Sequence, residues 1–211
     1  MAGGPFGGAP RADSAAAAEH ATAEEAARLI CLRLLTAAPR TRAQLADALC
    51  RRRVPDEIAE PLLARFADMG LIDDAAFARA WVESRHHGRG LARRMLAAEL
   101  QQRGVAAEEV RTAIGSLGPE EELATARGLV AKRAAATRGR PLPTRIRHLM
   151  GVLARRGYPA GLAYRVVRDA LEQEGTDAAG AGFCLEDFGE DEALELPGTG
   201  DNAPADEWAN W

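Results

Sequence analysis

The stretch GLIDDAAFARAWVESRHHGRGLARRMLAAELQQRGV, residues 70–105, decides the fold. Asp73 or Asp74 supplies a helix N-cap, and Phe77, Ala80, Trp81 and Ser84 then recur at the 3, 4, 7 spacing of one helical face. That apolar face predicts burial. The period breaks in Arg85-His86-His87-Gly88-Arg89-Gly90, where two glycines and a crowd of cations predict an exposed basic turn. A second helix opens after Leu91, buries Leu96 and Leu100 and closes on Gly104 as its C-cap, while Arg89, Arg93 and Arg94 face outwards.

The same internal offsets return on either side. Leu45, Leu49 and Val54 correspond to Leu96, Leu100 and Val105 and again to Leu149, Leu153 and Tyr158, at periods of 51 and 53 residues. Before the first set, a helix through Leu29, Leu32 and Leu35 ends at Pro39, and Thr41 caps its successor; Pro55 opens a third helix carrying Ile58, Leu62 and Phe66. Each copy is thus a three-helix repeat whose apolar stripe needs a stacked neighbour. The expected architecture is all-α: three tandem three-helix repeats over residues 23–70, 71–118 and 119–174, forming an elongated curved array. Residues 1–22 are read as a disordered lead of Gly, Ala and Pro, and residues 175–211 as a disordered acidic tail.

Composition agrees with helices. The chain is 47% apolar but only 5% aromatic, so the core must be built from Leu, Val and Ala. Three cysteines, Cys31, Cys50 and Cys184, stand in unrelated contexts and give neither a disulfide framework nor a metal knuckle. Cys31 and Cys50 are read as small core residues. Without a secretory leader or a run of 18 apolar residues, the sequence predicts a cytoplasmic protein with no membrane partner.

The formal net charge of −4 hides an asymmetry. Residues 23–171 hold 26 Lys+Arg against 17 Asp+Glu, whereas residues 172–211 hold 12 acids and no base. The helical body taken alone therefore suits a polyanion or an acidic assembly.

No enzyme is predicted. The chain lacks HExxH, GxxxxGK[ST] and GxSxG, and its one lysine, Lys132, stands in no phosphate loop. No metal or cofactor is expected. Adjacent His86 and His87 have no Cys or His partner at ligand spacing and are read as exposed, and Asp73-Asp74 is read as a cap rather than an acid–base pair. The arginines carry the stronger signal. Arg52, Arg103 and Arg156 share one repeat position, which helix-dipole stabilisation alone could explain. That explanation does not reach Arg85, Arg89, Arg93 and Arg94, or Arg138, Arg140, Arg145 and Arg147, which crowd two turns between helices. With Arg103 and Arg156 these form the expected partner- or DNA-binding set, and arginine suits bidentate contact with phosphate.

Leu71, Ile72, Asp73, Asp74, Phe77, Ala78, Trp81, Val82 and Arg85, followed by Leu96, Glu99, Leu100, Arg103, Gly104 and Val105, resemble the signature segment of the RecX family of bacterial RecA regulators. The likeness runs from about residue 24 to residue 171 and covers neither end of the chain. The resemblance implies a monomeric regulator that binds the RecA nucleoprotein filament along its groove, suppresses ATPase and strand exchange, and also binds single- and double-stranded DNA without sequence preference, modulating recombination and repair. The alternative is a stand-alone helical module acting on duplex DNA; a base-reading helix would concentrate its polar groups, whereas these arginines are dispersed. The tail adds a separate expectation: its acids compete with DNA for the basic face.

Overall fold

The computed structural model describes residues 10–175. All regular structure among them is helical, in nine α-helices and one 3-10 turn, as the leucine spacing predicts. The described residues divide into two compact units, one ending at Phe77 and the other beginning at Ala78.

The first unit holds helices α1 (Pro10–Ala37), α2 (Arg42–Cys50) and α3 (Asp56–Asp68) and the start of α4 (Asp74–Arg89). Residues 10–22, read from composition as lead, are helical, because the alanine run has the highest helix propensity of any residue type. Residues 1–9 and the tail from 176 onwards lie outside the described residues. The core joins Ala27 and Cys31 of α1 to Leu45 and Leu49 of α2 and to Ile58, Leu62, Leu63 and Phe66 of α3. Two expectations change. Leu29 is 58% exposed, since the inner face of α1 is set by Ala27 and Cys31, and Cys50, the last residue of α2, is exposed.

Capping follows the sequence closely. The Thr41 side chain accepts from the Gln44 amide while the Gln44 side chain accepts from the Thr41 amide, both at 3.2 Å, a reciprocal capping box. The adjacent acids divide the remaining work. Asp73 Oδ1 accepts from the Ala76 amide at 2.7 Å and caps α4, whereas Asp74 Oδ1 accepts from the Arg42 amide at 2.9 Å and caps α2 from 32 residues away. Burial pushes the Asp74 carboxyl above its ordinary range, and the Arg42 amide opposes that shift.

The second unit contains the rest of α4, then α5 (Arg93–Gln102), α6 (Ala107–Gly115), α7 (Pro119–Ala134) with the 3-10 turn Ala135–Thr137, α8 (Leu142–Ala154) and α9 (Ala160–Gln173). The turn that carries Arg138 and Arg140 is short, because Thr137 is buried in the 3-10 turn and Leu142 already begins α8. Leu96 and Leu100 of α5 and Leu149 and Leu153 of α8 are fully buried. Each such side chain contributes about 1.5–3 kcal/mol. Ala126 and Val130 of α7 and Val166, Val167 and Leu171 of α9 complete the core of the last three helices. The residue after the shared helix adopts a left-handed conformation at each repeat position, Arg53 (φ 60°), Gly104 (φ 75°) and Gly157 (φ 82°). Gly157 also needs its missing Cβ, which would lie 2.8 Å from Met95 Cβ.

Helix α5 is capped as α2 is. Glu122 Oε1, in the first turn of α7, accepts from the Arg93 amide at 2.9 Å, so the opening turn of a later helix supplies the acid for an earlier one. This recurring cap ties one repeat to the next.

Candidate polyanion-binding cleft

The basic stretch at the end of α4 is not the exposed turn its composition predicts. The helix continues through Arg89, and the break falls at Gly90 with φ 66°. Arg85 is only 8% exposed and His86 is fully buried, because they continue the stripes begun by Trp81 and Val82 at a spacing of four. These two exposures correct the sequence reading. Arg85 and Arg103 place their guanidinium carbons 4.1 and 3.7 Å from the Trp81 ring centroid, while Glu99 Oε2 accepts the indole N–H at 2.8 Å. A tryptophan between two cations satisfies its polar atom and stabilises charge that burial would otherwise penalise.

His86 fastens α4 to its neighbours. Its Nδ1 lies 2.8 Å from the Leu91 carbonyl, which only accepts, so Nδ1 donates there, and Nε2 pairs with Thr125 Oγ1 at 2.8 Å. Adjacent His87 points outwards, with Nε2 3.4 Å from Glu121. The turn between α8 and α9 closes over the same place. The Arg156 side chain donates from Nε to the Arg89 carbonyl at 3.1 Å, and the Arg156 carbonyl accepts from the Ala92 amide at 2.9 Å. Tyr158 donates its hydroxyl to the Gly90 carbonyl at 3.1 Å; burial, with Glu122 adding to it, pushes that hydroxyl up to about 12.

These contacts frame a cleft of about 590 Å³ lined by His87, Gly88, Arg89, Gly90, Leu91, Thr125, Gly128, Leu129, Lys132, Arg155 and Arg156. Among the described residues four cations line it and no carboxylate does. Leu91 and Leu129 supply apolar wall, and the glycines leave backbone open to a ligand. Such a cleft concentrates positive potential and suits phosphate or carboxylate groups.

Of the expected set, only Arg89 and Arg156 line this cleft. Arg94 is exposed and Arg93 half-buried on α5. Arg52 and Arg156 each donate to a carbonyl of their own helix, Ala48 at 2.9 Å and Val152 at 3.0 Å, the arrangement that dipole stabilisation favours. Arg145 is 6% exposed, donating to Glu174 at 2.6 Å and to the Ala134 carbonyl at 3.4 Å; its expected outward position is likewise corrected, since it closes the C-terminus of α7. Arg138 meets the same Glu174 at 3.1 Å, and Arg140 and Arg147 are exposed. Sequence reasoning missed Lys132 and Arg155. The paired cations Arg155-Arg156 at a helix end gave a local signal; Lys132 gave none, because only tertiary packing brings α7 beside the end of α4.

Models of the three RecX three-helix domains match in order: the first at residues 27–66, the second at 73–114 and the third at 120–167. The regulatory protein RecX of Thermobifida fusca is 66% identical over 151 residues, covering 72% of this chain and 82% of that protein. Its counterpart in Streptomyces lividans is 60% identical over 153 residues, covering 72% and 81%. A crystal structure of a regulatory protein RecX superposes with a TM-score of 0.66 at 23% identity, covering 80% of this chain and 81% of that one, a likeness of fold. Among the described residues no helix is long and apolar enough to cross a membrane. With three domain matches spanning more than half its length and relatives this similar over most of theirs, the chain belongs to the RecX family.

Proposed function

We propose that the chain regulates RecA by binding the RecA–DNA filament along its groove, suppressing ATP hydrolysis and strand exchange, and so modulates recombination and repair. The observation that carries this reading is the cleft onto which Lys132, Arg155 and Arg156 open and which, among the described residues, no carboxylate lines, in a member of this family. Phosphate oxygens or acidic side chains of a filament would replace the anions that the cleft does not supply. The role is non-enzymatic and cytoplasmic, exercised by a monomer that needs no cofactor and contacts DNA without reading its sequence. Arg94, Arg140 and Arg147 extend the contact outside the cleft.

The test is the single-stranded-DNA-dependent ATPase of RecA with increasing amounts of this protein. The rate should fall, and the protein alone should hydrolyse nothing. An unchanged RecA rate at saturation counts against the reading, and tight binding to duplex DNA with that unchanged rate would favour a stand-alone DNA-binding module.

A further inference from the structure

The described residues that line the cleft supply cations and apolar wall and no acid, while the chain beyond Gly175 has the opposite composition. Residues 176–211 contain ten acids and no base. Six of those acids fall in the segment FCLEDFGEDEALEL, residues 183–196, interleaved with Phe183, Leu185, Phe188, Leu194 and Leu196. We infer that residues 183–196 dock in the cleft, setting carboxylates against Lys132, Arg155 and Arg156 and apolar side chains against Leu91 and Leu129. The inference goes beyond the proposed regulation of RecA, for the docking needs neither RecA nor DNA.

Reach and charge both favour this occupant. Glu174 is held by Arg145 in the first turn of α8, and Arg155 immediately follows the last turn, so the cleft lies about 15 Å further along that helix axis. Eight residues separate Gly175 from Cys184, and an extended chain covers about 3.3–3.6 Å per residue, so the start of the segment reaches the cleft with length to spare. Tethering gives it an effective concentration on the order of millimolar, so that a weak contact is occupied. A free acidic ligand at micromolar concentration competes against that tether. Gly88 and Gly128 keep the entrance wide, since space lies open where either Cβ would be.

Cys184 provides the test within the full chain. With exposed Cys50 changed to Ser, Gly128→Cys places a thiol in the cleft and Gly115→Cys places one on α6 outside it, both at positions with open space. Each variant is oxidised with diamide, the disulfide to Cys184 is mapped, and its rate is divided by that thiol's rate with iodoacetamide, which removes the effect of nearby cations on reactivity. Docking predicts an intramolecular 128–184 disulfide forming at least about tenfold faster than 115–184. The advantage should shrink as salt rises and vanish when Glu186, Asp187, Glu190, Asp191 and Glu192 are changed to Gln or Asn. Equal normalised rates, a preference that survives neutralisation of the segment, or disulfides that link separate molecules would overturn the inference.

Discussion

The turn that ends α4 borders a cleft lined, among the described residues, by Lys132 and Arg155 and by no carboxylate, whereas in the turn before α8 Arg138 and Arg145 converge on one carboxylate, Glu174, at 3.1 and 2.6 Å. The two turns are similarly rich in arginine, but the second is closed internally. Arg145 also reaches Thr137 Oγ1 at 3.3 Å, so its guanidinium serves as a plug for the end of α7. The difference teaches that the number of cations in a turn does not tell which of them a partner can meet: Lys132 and Arg155 are exposed on the cleft, whereas Arg145 is buried against Glu174. Around the first turn Glu121 meets His87, Glu122 caps α5 and Glu99 receives the Trp81 indole.

The largest expected effect breaks the first turn from within. Trp81 is 2% exposed and sits between Arg85 and Arg103, so Trp81→Ala removes a core ring and leaves two cations without their aromatic face. Urea unfolding should register a loss of about 3–5 kcal/mol. A midpoint that does not move would mean that the guanidinium groups, and not the ring, hold the turn.

The second turn is sharpened by pH. Hydrogen bonds from Arg145 and then Arg138 hold the Glu174 carboxyl below its ordinary range. A carboxyl with a lowered folded-state value contributes stability above its unfolded value, and that contribution is lost as pH falls through the folded one. The wild-type urea midpoint should therefore fall on acidification from neutral pH. Arg145→Met should narrow that fall by removing the leading cause, and Glu174→Gln should narrow it further by removing the titrating group. A fall of the same size in all three proteins would assign the acid sensitivity to other carboxyls.

What could be read from the sequence follows from what is local in the physics. The leucine pairs 45/49, 96/100 and 149/153 are one helical turn apart, and all six are fully buried as their spacing requires. Thr41 with Gln44, and Asp73 with Ala76, are three residues apart, and both caps were legible. The cleft was not. His86 meets Thr125 across 39 residues and Arg156 meets the Arg89 carbonyl across 67, and no local pattern encodes such pairings. Arg85, His86 and Arg145 were read as exposed because cations usually are. Each is buried with a partner: Trp81, one turn earlier on the same helix, for Arg85, and Thr125 and Glu174, which only the fold brings close, for His86 and Arg145. Lys132 entered the sequence argument only through its inability to form a phosphate loop, and the fold sets it in the cleft.

The next effect lies on binding rather than stability. Arg89, Lys132 and Arg155 are exposed, so changing all three to Ala should leave unfolding within about 0.5 kcal/mol per site. If the cleft takes phosphates, the same triple variant should bind single-stranded DNA more weakly and lower the log–log salt slope by about 0.7 for each lost contact, or about 2 in total. Fluorescence anisotropy over a salt series measures both quantities. An unaltered slope would remove the cleft from DNA binding and leave it to acidic protein groups.

The smallest effect belongs to the two second-turn cations that no acid closes off. Arg140 and Arg147 are exposed and stand outside the cleft, so they meet a bound polyanion only if it extends past the cleft towards the start of α8. A ligand confined to the cleft touches neither. The double change Arg140→Ala with Arg147→Ala should therefore lower the salt slope by less than about 0.7, under one contact, on an oligonucleotide just long enough to fill the cleft. Lengthening the oligonucleotide provides the decisive comparison, because a strand that continues along α8 gains those contacts in the wild type and not in the variant. A slope that differs between the two proteins only on the longer strand would place the polyanion path through both turns. A difference already present on the short strand would mean that the second turn binds on its own, and the contrast between the turns would then fail.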